Sequence, residues 1–350
     1  MPVVAKRIPL AVIDDCRPRD RRGRPLRDLR ISVVDRCNFR CPYCMPESRY
    51  PRDDGADTAA DRLTAAEIVR IARAFVALGV DKLRLTGGEP LLRRDLPDIV
   101  ARLAAIEGVR DLALTTNGSL LAAHAAGLRA AGLRRLTVSL DAIDAVLFAR
   151  MSGGRGDVAA VLDGIAAGEA AGFRPIKVNA VLQRGVNDSE VEALVARFRG
   201  SGHVLRFIEY MDVGTCNRWQ PTAVVPSAEI VARVNSRWPI RPLQRSYRGE
   251  VAERWAFEDG AGEIGFVSSV SAPFCGDCHR ARLSSEGRLY SCLFAASGAD
   301  LRPVLRGDDA SLREAIASVW RARVDRHSEL RAGITADPPP ARVEMYRIGG

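Results

Sequence analysis

The chain has 350 residues, 47% hydrophobic and 27% charged, enough apolar material for a substantial core and too much for a disordered chain. No run approaches the ~18 uninterrupted apolar residues of a membrane span, so no membrane partner is expected; the opening segment lacks a small-residue cleavage site, which points to the cytoplasm. The formal charge of +9 comes from 49 Arg and only three Lys (Lys6, Lys82, Lys177), spread among 43 acidic residues, so a cation-lined pocket for a small polyanion is expected and no nucleic acid.

From residue 31 onward, short β-rich runs alternate with Ala/Leu/Arg helical runs. Strands are predicted at 31–35, 82–86, 112–116, 136–140, 176–182 and 204–209, and helices near 64–78, 95–105, 119–131, 156–171 and 188–199. Thr64 stands three residues before Glu67, the pattern of a capping box, and Asn187 or Asp188 precedes an acidic first turn. Six such βα units predict an α/β chain with a parallel sheet, two units short of a closed eight-stranded barrel. Beyond about 215 the pattern changes to Trp- and Pro-containing loops. Antiparallel pieces are predicted at 251–257 with 263–270 and at 280–284 with 288–293, then an amphipathic helix at 311–323. Two domains are therefore expected, 1–215 and 216–350. The tail carries Pro338, Pro339 and Pro340 and ends in Gly349-Gly350.

Six of the eight cysteines form two groups, Cys37-x3-Cys41-x2-Cys44 and Cys275-x2-Cys278-x13-Cys292. In a cytosolic chain such groups read as metal ligands or redox thiols rather than disulfides. Each offers three thiolates, one short of a filled zinc or cubane site, so each centre keeps a position open for something that is not protein. Completion of a zinc site by His279, beside Cys278, is the alternative for the second group. Cys16 and Cys216 read as ordinary thiols.

The first group comes directly after the first strand, at the end of a parallel sheet where such folds place chemistry. After the second strand, Gly87-Gly88-Glu89-Pro90 would let backbone approach a ligand closely, with Glu89 able to accept from an amine. Thr115, Thr116 and Asn117 end the third strand, and Ser139 and Asp141 the fourth, so polar residues converge on one rim.

The three-cysteine loop with Tyr43 before its last Cys, followed by Gly-Gly-Glu-Pro, resembles the radical S-adenosylmethionine superfamily. That resemblance implies an incomplete (β/α)6 TIM-type barrel, here with a C-terminal antiparallel and helical extension closing its open side. It also implies a 4Fe-4S cluster on Cys37, Cys41 and Cys44 whose open iron takes S-adenosylmethionine. The second trio and the Gly-Gly terminus, with the phrases KLRLTGGEPLLR and RFIEYMDVG, are similar to the GTP 3',8-cyclase family of molybdenum cofactor biosynthesis, from about residue 14 to the end. A peptide-modifying radical enzyme is the rival reading.

The resemblance also implies roles for individual residues. S-adenosylmethionine would lie against Tyr43, Gly88, Thr115, Ser139 and Met211. The GTP triphosphate would meet Arg30, Lys82, Arg84, Lys177 and Arg206. A second 4Fe-4S cluster on Cys275, Cys278 and Cys292 would hold the guanine, with Arg280 and Arg282 nearby. Gly349 and Gly350 would reach the active site and serve turnover. The 5'-deoxyadenosyl radical would remove the ribose 3' hydrogen, and C3' would bond to guanine C8. An external low-potential electron donor and a downstream cyclic pyranopterin monophosphate synthase are the implied partners, with monomer and homodimer both open.

Overall fold

The computed structural model describes residues 17–50, 62–331 and 342–349, so Cys16, Pro338 to Pro340 and Gly350 lie outside the described residues. Six parallel strands run in sequence order through one sheet: β1 (Asp28–Ser32), β2 (Lys82–Thr86), β3 (Asp111–Thr116), β4 (Arg135–Ser139), β5 (Lys177–Leu182) and β6 (Val204–Glu209). Between them return α1 (Ala65–Ala77), α2 (Leu96–Ala104), α3 (Leu121–Ala130), α4 (Ala145–Met151), α5 (Val158–Ala170) and α6 (Val191–Phe198). Thr64 caps α1 with the expected reciprocal box: its hydroxyl accepts from the Glu67 N–H, and the Glu67 carboxylate accepts from the Thr64 N–H.

Strand alternation builds the core. Leu29, Ile31, Leu83, Leu85, Val178 and Phe207 are fully buried in one core cluster that also takes Ile68, Ile71 and Phe75 of α1. Burying each such side chain contributes about 1.5–3 kcal/mol.

The C-terminal strands extend both edges of this parallel array. After α7 (Ser227–Arg237) come β7 (Ile240–Pro242), β8 (Glu253–Phe257) and β9 (Glu263–Val267); β9 joins β6 in parallel, with β8 and β7 antiparallel outside it. At the other edge β10 (Arg280–Leu283) joins β1 in parallel and carries β11 (Arg288–Tyr290) and β12 (Ala299–Asp300). The result is a twelve-stranded sheet with a central parallel set. The long helix α8 (Asp309–Arg321) packs on α1, and two short helices come after it, α9 (His327–Leu330) and α10 (Met345–Ile348).

Several boundaries differ from expectation. The first strand begins at Asp28, not 31, because Asp28 through Ile31 pair with both β2 and β10, while Val33 and Val34 are apolar through burial alone. Helix α4 has no counterpart among the predicted elements; Asp144 caps it by accepting from Leu147 N–H. Helix α7 lies where the sequence predicts loops: Pro226 precedes it, and Ile230 and Val234, four apart, bury one face.

Candidate active site

The same alternation that buries Leu29 and Leu83 turns Arg30, Lys82, Arg84, Lys177 and Arg206 to the opposite face. All five line one cavity of about 820 Å³, together with Arg280 and Arg282 of β10. Register explains the gathering. Arg30 sits abreast of Arg84 on one side and Arg282 on the other, and Ala113 of β3 carries the row on to Arg135. Arg135 lines the cavity too, and the sequence reading misses it by starting the fourth strand at 136. Alternation from Thr137 would have found it.

These cations meet few compensating anions. Burial, then the neighbouring Arg206, Arg135, Arg84 and Lys82, brings Lys177 down to about 7. Burial followed by Arg84 and Arg135 brings Arg206 to about 9, and burial with Arg280 does the same for Arg282. Arg30 is pushed well below its usual value by burial and by Arg282, Arg280 and Arg84. A pocket that depresses its own cations is poised for a polyanion. Arg84 also donates to the hydroxyls of Thr115 (2.9 Å) and Thr137 (3.1 Å). Lys82 stands 3.8 Å from Asp28, donates to the Tyr247 hydroxyl at 3.3 Å and lies 5.3 Å from that ring's centre. Tyr247, on the loop between β7 and β8, is a second cavity residue that the sequence reading misses.

Cys275, Cys278 and Cys292 line the same cavity. Against the desolvation of burial, Arg280 and Arg323 bring the Cys278 thiol down to about 5, and Arg280 donates to its sulfur at 3.4 Å. Burial pushes Cys292 up to about 11. The loop is braced from behind: buried Arg24 donates to Cys275 O (2.7 Å), Arg323 donates to Cys278 O (2.6 Å), and Asp20 lies within reach of both guanidiniums. His279 is buried against Asp28, 3.5 Å from Nδ1.

The first trio sits in the loop after β1. Burial and the nearby carboxylate of Glu89 push Cys37 up to about 12, while burial and the other two sulfurs raise Cys41 well above its usual value. Thiols this buried and this close repel one another as thiolates, so a cationic iron–sulfur core suits them. Asn117 Nδ2 and Phe39 N–H already point at the Cys37 sulfur, at 3.9 and 3.4 Å. Among the described residues no three His, Cys, Asp or Glu side chains gather tightly enough for a single metal ion. What speaks for a cluster is the chemistry of the donors alone, three thiols in each loop.

The glycine pair also has a structural task. Its backbone meets the chain's own cysteine loop: Gly88 N–H donates to Val34 O (2.8 Å) and Glu89 N–H to Arg36 O (2.7 Å). A Cβ on Gly88 would collide with Arg36 O. Glu89 is fully buried and accepts from Leu91 N–H, Thr116 Oγ1 and Asn117 N–H, so its carboxylate braces the strand ends. Of the residues expected near S-adenosylmethionine, Thr115 and Met211 line the cavity. Tyr43, Gly88 and Ser139 are not in its lining; Tyr43 instead donates to Asp141 at 2.7 Å. The described end of the tail meets Arg282, which donates to Ile348 O (3.1 Å) and to Gly349 O, and Gly349 lies against Thr86 with φ 68°; neither Ile348 nor Gly349 is in the cavity lining.

Comparison with known proteins gives the family. Residues 31–198 match the profile described as the Radical SAM superfamily, and 203–329 that described as Molybdenum Cofactor Synthesis C. The chain is 60% identical over 331 residues to "GTP 3',8-cyclase" of Xanthomonas axonopodis pv. citri, covering 95% of this chain and 98% of that protein. It is 52% identical to "GTP 3',8-cyclase" of Acidothermus cellulolyticus, covering 95% and 99%. Among solved structures, Streptococcus suis SuiB bound to S-adenosylmethionine superposes with a TM-score of 0.56 at 16% identity, covering 84% of this chain and 68% of that one, a likeness of fold.

Proposed function

The chain belongs to the GTP 3',8-cyclase family of the radical S-adenosylmethionine superfamily, and from that premise we infer that its cavity takes GTP, guanine toward the second thiol trio and triphosphate toward the strand cations. The reaction consumes S-adenosylmethionine, removes the ribose 3' hydrogen of GTP and joins C3' to guanine C8. It yields (8S)-3',8-cyclo-7,8-dihydroguanosine 5'-triphosphate, the first step of molybdenum cofactor biosynthesis. The observation that carries this reading is one cavity lined by both the strand cations and the second cysteine trio.

Cys37, Cys41 and Cys44 would hold one 4Fe-4S cluster, and Cys275, Cys278 and Cys292 a second. When bound, the first supplies the electron, from an external low-potential donor, that cleaves S-adenosylmethionine to methionine and a 5'-deoxyadenosyl radical. Thr115 offers a hydroxyl and Met211 a soft apolar surface to S-adenosylmethionine; the family reading adds Tyr43, Gly88 and Ser139, which lie outside the cavity lining. Arg30, Lys82, Arg84, Lys177 and Arg206 neutralise the roughly four negative charges of the triphosphate. Arg280 and Arg282 serve the base end, and Arg282 also holds the tail by its last carbonyls. The family reading has the Gly349-Gly350 terminus serve turnover, a dipeptide with no side chains to obstruct the site. The family reading further assigns a cytoplasmic enzyme whose product passes to cyclic pyranopterin monophosphate synthase.

Anaerobic reconstitution tests the whole. Loaded protein should hold ~8 irons per chain, and replacing Cys275, Cys278 and Cys292 by Ala should remove ~4 of them. Cleavage of S-adenosylmethionine should yield the cyclised nucleotide when GTP is present. A triple variant that keeps all its iron, or cleavage with no cyclised product, would sink the assignment.

A further inference from the structure

Upstream of its contact with Arg282, the tail is held at two further points, Arg342 and Glu344. Arg342 donates to the backbone oxygen of Asp212 at 2.7 Å and to its carboxylate at 2.8 Å. The same carboxylate takes Arg331 at 2.7 Å and His327 at 3.0 Å, all four side chains at most 14% exposed. Phe294, two residues beyond Cys292, stacks on His327 with 4.2 Å between ring centres, and both guanidiniums lie over its face. Two residues along the tail, Glu344 accepts from Thr215 N–H (3.1 Å), Thr215 Oγ1 (2.8 Å) and Cys216 Sγ (3.0 Å). Between them Val343 N–H donates to Ala295 O at 3.0 Å.

We propose that Asp212 and Glu344 are positioning residues, forming a two-point latch that seats the C-terminal tail in the active site. The loop after β6, which carries Met211 and Asp212, is one jaw; the loop carrying Cys292 and Phe294 is the other. Fixing positions 342 and 344 leaves a short run of chain to place Tyr346 edge-on to Tyr50 (5.3 Å), bury Ile348 and deliver Gly349 between Thr86 and Arg282. Charge-assisted bonds at both points suit such a task, since they fix direction as well as distance. The latch also ties tail seating to the second trio, because Phe294 N–H points at the Cys292 sulfur at 3.5 Å.

This rests on the tail serving turnover, and the test separates the two. Iron-loaded full-length protein is compared with Asp212→Asn, Glu344→Gln and Arg342→Ala, the last altering only the tail side, and with a 1–348 truncation. Amide hydrogen exchange over 345–349 should speed up by ~10-fold or more in each latch variant, with unchanged iron. Cyclisation should fall toward the rate of the truncation. Exchange unchanged in Glu344→Gln and Arg342→Ala would overturn the latch. Faster exchange in those variants, with a truncation that cyclises at the full rate, would keep the latch and overturn the tail's role.

Discussion

At the scale of single residues, the strand cations are costly side chains made tolerable by what they face. Lys82 and Arg84 alternate on β2 into the cavity, so removing either should weaken triphosphate binding rather than nucleoside binding. Lys82→Ala should lose about 1.5–3 kcal/mol of affinity for GTP and little for guanosine, measured by equilibrium binding; equal losses would deny it the triphosphate. Lys177 makes a pH prediction. Its folded value of about 7 lies below the usual lysine value of 10.5, so its charged form burdens the empty pocket fully below pH 7. That burden fades as pH rises from 7 toward 10.5. A bound triphosphate should raise the value again, so binding near pH 8.5 takes up ~1 proton. Calorimetry in two buffers of different ionisation enthalpy reads this directly. Lys177→Met should abolish most of the uptake.

Elements matter here chiefly as braces for loops. The Gly-Gly-Glu-Pro turn after β2 holds the first cysteine loop by two backbone bonds, with no room for a side chain at Gly88. Gly88→Ala should cost ~1–3 kcal/mol in denaturant unfolding and loosen the first cluster, leaving ~4 irons; a full complement would show that the loop tolerates the displacement. Behind the second trio, Asp20 joins Arg24 at 2.5 Å and Arg323 at 3.4 Å, all essentially buried. Asp20→Ala would take from buried Arg24 its carboxylate partner and from Arg323 one of two, the other being Asp325 at 3.4 Å, a loss of ~3 kcal/mol. A change under ~1 kcal/mol would mean water reaches the pair. The predicted helices match wherever a cap and an apolar stripe coincide, as at Thr64. They fail at α7, where Pro226 and a polar composition hide the Ile230/Val234 face.

Across the whole molecule, the sheet makes one site from distant parts of the chain. β10 returns to pair with β1, and β9 with β6, so C-terminal residues flank both edges of the parallel set. The base end of the cavity should therefore be set by the second trio and the polyanion end by the first six strands. The Cys275, Cys278 and Cys292 triple Ala variant should lose its preference for GTP over ATP by ~10-fold or more while still binding triphosphate, since on the proposed reading the second cluster holds the base. Competition binding measures this; an undiminished preference would move the guanine elsewhere. Among the described residues no helix is long and apolar enough to cross a membrane.

The sequence by itself determined the thiol trios, the parallel βα rhythm and the cations on strands, because local spacing and alternation fix those. It pointed as well to the cyclase family through its motifs. Tertiary structure alone decided that Arg30, Arg84 and Arg282 stand abreast, since register between strands depends on pairing across hundreds of residues. It also decided that Glu89 is consumed by the protein's own donors and that Gly88 meets the cysteine loop. The anchoring of the tail through Asp212 and Glu344 was equally invisible in the chain. Neither carboxylate sits in a motif that names its partner, and only folding brings 212 to 342, where burial makes each charge require the other, and 344 to the neutral donors of 215 and 216.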